Sequence, residues 1–178
     1  MMMKALEAGG LSASYRQSRE IMRKRFADAV YDPNIGGLFE LERQDYASFG
    51  FPKQYNGKLI KALNNGVPRM AVMPDGIKVV FMRRDSEEIR QSYNAFFNGD
   101  MKNTHMLNEK MEDIKEKIKN RKDVISFHEF YYRKVVENPV KYFNILANDG
   151  WPINSQIAAS IVDPKYCRFK KELLEEGI

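Results

Sequence analysis

The sequence predicts an α/β domain: a three-layer parallel sheet with helices on both faces. Three observations lead there. Residues 77–82 form a nearly unbroken apolar run with β-branched and aromatic members, Ile77, Val79, Val80, Phe81 and Met82, as expected for a strand covered on both faces. Strand-like runs alternate with amphipathic helical stretches, the pattern of parallel sheets with crossover helices. The 178 residues, 43% hydrophobic, suit one domain with one core, so residues 1–178 are read as a single unit.

Each element carries its own local reason. Ile21, Met22, Phe26 and Val30 share one face of a helix over 18–30, followed by a loop at Asp32-Pro33-Asn34 and Gly36-Gly37. Residues 58–63 read as a short strand, broken by Asn64-Asn65-Gly66 and Pro68. After the strand at 77–82, Asp85 stands where a helix N-cap belongs, with Glu88 three residues on at capping-box spacing. Ile89, Tyr93, Phe96 and Phe97 give that helix its stripe, and Asn98-Gly99 stops it. Leu107, Met111, Ile114 and Ile118 mark a second amphipathic helix. Residues 124–127 form a short strand that leaves His128 at its end. Asn138-Pro139 opens a helix that Gly150 closes, since proline at the first helical position loses no hydrogen bond. A short helix over 154–162 follows, and Asp163-Pro164 opens a last one carrying Tyr166, Phe169 and Leu173. Only three strands are clear, which is few for such a sheet. Tyr131, Tyr132 and Trp151 read as packing residues.

Composition narrows the function classes. No run approaches the roughly 20 apolar residues that a spanning helix requires, and residues 1–10, with Lys4 and Glu7, are too short and polar for a secretory signal. The single cysteine, Cys167, excludes an internal disulfide framework and suits a reducing compartment. These features predict a soluble cytoplasmic protein without membrane partners. The net charge is +5 and the pI about 9.2. That excess favours an anionic ligand without naming one, because lysines and arginines are interspersed with acids. No zinc-type Cys/His spacing and no RNA-binding aromatic signature occur, so neither a metal nor nucleic acid is expected.

The chemistry concentrates in 77–93. In open α/β sheets ligands bind beyond the carboxyl ends of strands, where Arg83 and Arg84 stand, and a guanidinium there can fork onto a phosphate. The competing reading of Arg84 is a salt bridge to Asp85, Glu87 or Glu88. Ser92 lies eight residues after Arg84, two turns into the following helix.

The segment Ile-Lys-Val-Val-Phe-Met-Arg-Arg-Asp-Ser-Glu-Glu-Ile-Arg-Gln-Ser-Tyr at 77–93 resembles the 3′-phosphate-binding strand and helix of the PAPS-dependent sulfotransferases, bacterial type. The resemblance implies that Arg84 and Ser92 grip the donor's 3′-phosphate, with Arg83 matching a double arginine of bacterial members. Residues 1–11 are similar to the helix after the family's phosphate-binding loop. Residues 31–40 are similar to its Asn-Pro-x-Gly-Tyr-x-Glu region, and 58–63 to the strand bearing its characteristic lysine, here Lys61. Residues 124–139, 162–164 and Arg168 match later stretches in order.

The resemblance implies a P-loop fold of the sulfotransferase branch, PAPS or its product PAP as ligand, no metal, and sulfuryl transfer to a hydroxyl or amine acceptor in the complete enzyme. Lys61 would touch the transferring group, where positive charge stabilises the transition state.

Two departures stand against this. The phosphate-binding loop and the strand before it are absent from the sequence, so the sheet is expected to miss its central strand. Three outcomes follow: the natural protein starts upstream, the sheet rearranges, or a partner chain, such as a second copy in a homodimer, fills the gap. The position of the usual histidine base holds Leu63. His128 is the substitute base, its reference pKa near 6.5 fitting the role; the competing reading is a structural histidine. The alternative function is a non-catalytic binding or scaffold protein of the same fold.

Overall fold

The computed structural model describes residues 1–14, 50–62, 66–97 and 105–164. The expected helix over 18–30, the region 31–40, Leu63, the stop at 98–99 and everything from Tyr166 on, Cys167 and Arg168 included, lie outside them.

Among the described residues the chain is a mixed α/β protein with two small parallel sheets and flanking helices. In order come α1 (Met2–Ala8), β1 (Ala13–Ser14), α2 (Phe51–Tyr55), β2 (Leu59–Ile60), a 3-10 turn (Val67–Arg69), β3 (Ile77–Arg83), α3 (Ser86–Phe97), α4 (His105–Lys119), β4 (Val124–Tyr131), α5 (Tyr132–Glu137), α6 (Pro139–Asn148) and α7 (Ser155–Ser160). β1 pairs with β2 and β3 with β4, both in parallel. The expected parallel pairing is present, but as two separate pairs.

The β3–β4 ladder runs from Ile77 opposite Val124 to Arg83 opposite Tyr131, with an irregularity between Ile77 and Lys78 that leaves Ile125 over. Gly76 stands at this bulge. Its φ of +78° lies where side chains are disfavoured, and a Cβ there would sit 2.6 Å from Cγ2 of Ile125. β4 runs four residues past the expected end, so His128 is mid-strand. The polar residues His128 and Glu129 read as a strand end, but each finds a partner beside the sheet and the ladder continues.

Two cores flank the strands. The first gathers Ala5 and Leu6 of α1, Phe130 of β4, Val135 of α5, Phe143 and Leu146 of α6, Trp151, and Ala158 and Ala159 of α7. Leu59, Val80 and Met82 pack against it from the strands. The second holds Phe51, Tyr55, Met70 and Met73, with Ile60, Ala62 and Ile77 against it. The remaining side of β3 and β4 carries the stacked rings of Phe81 and Phe127, centroids 5.9 Å apart, and α4 lies against β4 with Ile118 buried.

The caps at Asp85 and Asn138 follow the sequence, and Asn154, read as the first helical residue, is itself a cap. Asn138 accepts from the Lys141 amide at 3.3 Å with Pro139 next, and Asn154 accepts from the Ile157 amide at 3.0 Å. Asp85 accepts from the Glu87 and Glu88 amides at 2.9 and 3.4 Å. Gly9 lets α1 close on α7: a Cβ there would stand 3.1 Å from that of Ala158.

The described residues between β2 and β3 hold one 3-10 turn, and a buried ion pair organises them. Arg121 and Asp123 pair at 2.7 Å with side chains 10% and 4% exposed. Arg121 also donates to the carbonyls of Val67, Met70 and Ala71, while Asp123 accepts from the Met73 amide at 2.8 Å. Burial pushes the Asp123 carboxyl up, but Arg121 and the Met73 amide outweigh it and hold the pKa below the ordinary value. Removing one partner strands the other's charge. Asp123→Ala is therefore expected to cost about 3–5 kcal/mol, read as a lower urea midpoint with an unchanged slope.

Candidate functional site

A cavity of about 760 Å³ opens between the two strand pairs. One wall is Lys58 to Ala62, the other Ile77 to Met82, every residue in turn, and α1 contributes Met1 to Lys4. Met1–Met3 are half-buried there, and Met1 and Met2 also pack against the first core. Arg84, Ser92 and Tyr132 also line it. The wall is apolar with cationic side chains, Lys4, Lys58, Lys61, Lys78 and Arg84, and no carboxylate from the described residues.

Arg83 and Arg84 diverge, as successive residues leaving a strand must. Arg83 is not on the cavity wall. It pairs with Glu112 of α4 at 2.6 Å and lies 3.6 Å from Glu129 of β4. Lys115 joins both acids, at 2.5 and 3.3 Å. The expected phosphate contact from Arg83 is thus replaced by an ion-pair network that ties α4 to the sheet.

Arg84 faces the cavity. Its Nε donates to Glu88 at 3.1 Å, and its guanidinium carbon stands 5.4 Å from the Tyr132 ring centroid, within cation–π range. The salt-bridge reading of Arg84 holds, and Glu88 is the partner chosen. Glu88 does not close a capping box; it turns inward, 3% exposed, and also accepts from Arg133 of α5 at 3.0 Å. Two guanidinium groups thus share one carboxylate, leaving a local excess of one positive charge.

Lys61, directly after β2, lines the same cavity. The α-amino group of Met1 lies close by, and burial first, then Lys61 and Lys4, lower its pKa. The structure thus brings Lys61, Arg84 and Ser92 onto one cavity. It does not bring His128 there. His128 belongs to the face of β4 that carries Ser126 and Phe130. Its Nε2 is 3.0 Å from Asp149, which also accepts from the Ser126 hydroxyl, while Lys78 donates to the Asp149 carbonyl at 2.7 Å. His128 is a strand residue fastened to the end of α6 and does not stand ready as a base at the cavity.

Tyr132 and Arg133 were missed as site residues. The signal was available in the ladder: Arg83 opposite Tyr131 sets Tyr132 beside Arg84. Reading it required β4 to extend to Tyr131. Among the described residues no cluster of three or more metal-ligating side chains occurs, and no helix is long and apolar enough to cross a membrane. No protein-family model matches the chain, and neither does any curated protein or solved structure.

The Asp149 cluster makes an acid-sensitive joint. The Ser126 hydroxyl first, then His128, holds the Asp149 carboxyl below its ordinary value of 3.8. Because the folded pKa is depressed, the contribution is fully present above that ordinary value and is lost as pH falls through the lower folded one. Asp149→Asn is expected to flatten the decline of the urea midpoint below about pH 4.

Proposed function

We propose that this chain is a sulfotransferase-like protein that binds PAPS or its product PAP through Arg84 and Ser92. On this reading the two strand pairs and their helices are parts of one three-layer domain of the P-loop type. One observation carries the proposal: Arg84 and Ser92, eight residues apart on a strand end and a helix, line one cavity whose charged side chains are all cationic. A guanidinium and a hydroxyl converging on one space is a phosphate-gripping set. Tyr132 under Arg84 offers a flat apolar surface beside it.

Arg84 can turn to an anion without stranding Glu88. Arg133 keeps that carboxylate paired at 3.0 Å, and the freed guanidinium offers the fork that a phosphate oxygen pair accepts. Lys61 on the same wall adds positive charge for a second phosphate or a sulfuryl group. The transferred group would go to a hydroxyl or amine acceptor in an active enzyme.

A specific observation favours the alternative of a non-catalytic binding protein of this fold. Among the described residues, the cavity wall has no imidazole and no carboxylate to take a proton from an acceptor hydroxyl. Binding of the donor or product is therefore the part of the activity this chain supports best.

Calorimetric titration with adenosine 3′,5′-bisphosphate tests the reading, with adenosine 5′-monophosphate as control. Binding is expected for the bisphosphate and weakened about tenfold to a hundredfold in Arg84→Ala, the range for one hydrogen bond to a charged group. Glu88 keeps Arg133 in that variant, so the fold survives. Equal affinity for both nucleotides, or an unaffected variant, would defeat the 3′-phosphate assignment. No binding by a folded sample would do so as well.

A further inference from the structure

β3 and β4 run side by side, and each hands the chain to a helix at the same end. Arg83 lies opposite Tyr131 in the ladder. Arg84, leaving β3, and Tyr132 and Arg133, opening α5, therefore emerge next to each other, and the Arg84 guanidinium carbon stands 5.4 Å from the Tyr132 ring centroid. α3 starts at Ser86. Glu88 in its first turn follows Arg84 by four residues, a spacing at which two side chains meet. The seam between the two strand exits thus holds one carboxylate with an arginine on either side.

Burial decides which of the three groups can move. The Glu88 side chain is 4% exposed, while those of Arg84 and Arg133 are 28% and 34% exposed. A buried carboxylate stripped of its partners carries a large desolvation penalty, whereas a guanidinium near the surface recovers water. Glu88 therefore needs one arginine at all times but not both. Its oxygens are divided between them: Oε2 accepts from Nε of Arg84 at 3.1 Å and Oε1 from Nη2 of Arg133 at 3.0 Å. Either contact can be given up while the other stands. Arg84 is the arginine on the cavity wall, so an anion there competes for Arg84 and leaves Arg133 in place.

We propose that Arg133 is a positioning residue of the anion site: by holding Glu88 it frees Arg84 to turn to a phosphate, and phosphate binding in turn commits Glu88 to Arg133. Arg133 acts through Glu88. This proposal rests on the nucleotide reading and adds a control of affinity to it. The coupling is reciprocal, so the bound phosphate strengthens the tie between α3 and α5 as much as that tie strengthens phosphate binding.

The sign of each substitution follows. Without Arg133, Glu88 is left to Arg84 alone, and turning Arg84 to a phosphate strands a buried charge. With a neutral amide at position 88 there is no charge to strand, and Arg84 is available whether or not Arg133 is present.

The test is calorimetric titration of adenosine 3′,5′-bisphosphate into the unmodified chain, Arg133→Ala, Glu88→Gln and the double variant. Arg133→Ala is expected to weaken binding about tenfold or more, the scale of one hydrogen bond to a charged group. Glu88→Gln is expected to bind at least as tightly as the unmodified chain, and the double variant to bind like Glu88→Gln alone. Rescue by a second substitution separates positioning from support of the fold, which removing Glu88 would not repair. The ratio between the unmodified chain and Arg133→Ala is expected to persist at about 1 M salt, where screening acts within about 3 Å, because the stranded charge is buried. A ligand-free arm reads the sharing itself. Arg84→Ala and Arg133→Ala each leave Glu88 one partner, so the urea midpoint of the Arg84→Ala/Arg133→Ala chain is expected to fall by more than the sum of the two single losses. Additive losses would overturn the proposal. So would binding that Arg133→Ala leaves unchanged, a deficit that Glu88→Gln does not restore, or one that salt removes; each of these leaves the nucleotide reading intact. Absence of binding by the unmodified, folded chain would defeat both.

Discussion

Backbone pairing is the constraint on which the rest of this structure depends. A buried strand must satisfy its donors and acceptors on two edges, and β3 is apolar enough to be buried on both faces. β4 satisfies one edge over the full length of β3. The other edge faces the cavity, and β2 faces it from across. The position of the cavity, its apolar lining and the placement of Arg84 at its rim all follow from where that ladder ends.

Two buried carboxylates fix what the strands leave undetermined. Asp123, with Arg121, collects carbonyls and an amide from residues 67–73 and so forms the floor of the second core without regular structure. Glu88 does the corresponding work for α3, tying its first turn to Arg84 before the helix and Arg133 of α5 beyond the far strand. In each case a long guanidinium reaches several acceptors at once, which a lysine cannot do with the same geometry. The loops around the cavity are therefore held by charge where they lack length to be held by packing.

How much was legible follows from how each signal is written in the chain. The 77–82 run, the Asp85 and Asn138 caps, and the stripe through Met111 and Ile118 depend on a few adjacent residues, and each appears where the local pattern put it. The short α2 and α5 and the two-residue β1 have no period to read, since they exist through contacts made far along the chain. β4 was cut short because His128 and Glu129 look like surface residues until Asp149, Arg83 and Lys115 are brought against them. For the site, Arg84 and Ser92 were readable as a spacing within one strand–helix unit. Arg83 was misjudged because its acid partners sit on α4 and β4, and Tyr132 was missed because its place beside Arg84 depends on a register between strands more than forty residues apart.

The sharing of Glu88 decides whether Arg84 can act on a ligand at all. An arginine held by a single buried carboxylate would bind a phosphate only by leaving that carboxylate stranded, a loss comparable to the gain. Here the carboxylate has a second guanidinium, Arg133, at 3.0 Å from its other oxygen. If Arg84 turned toward an anion in the cavity, Glu88 would remain paired. The cost of redirecting Arg84 is then one hydrogen bond at 3.1 Å, about 1.5–3 kcal/mol for a charged group. A bidentate phosphate contact supplies two such bonds. The balance tips toward the anion only because the second arginine is there, which makes Arg133 part of the site although it is not on the cavity wall.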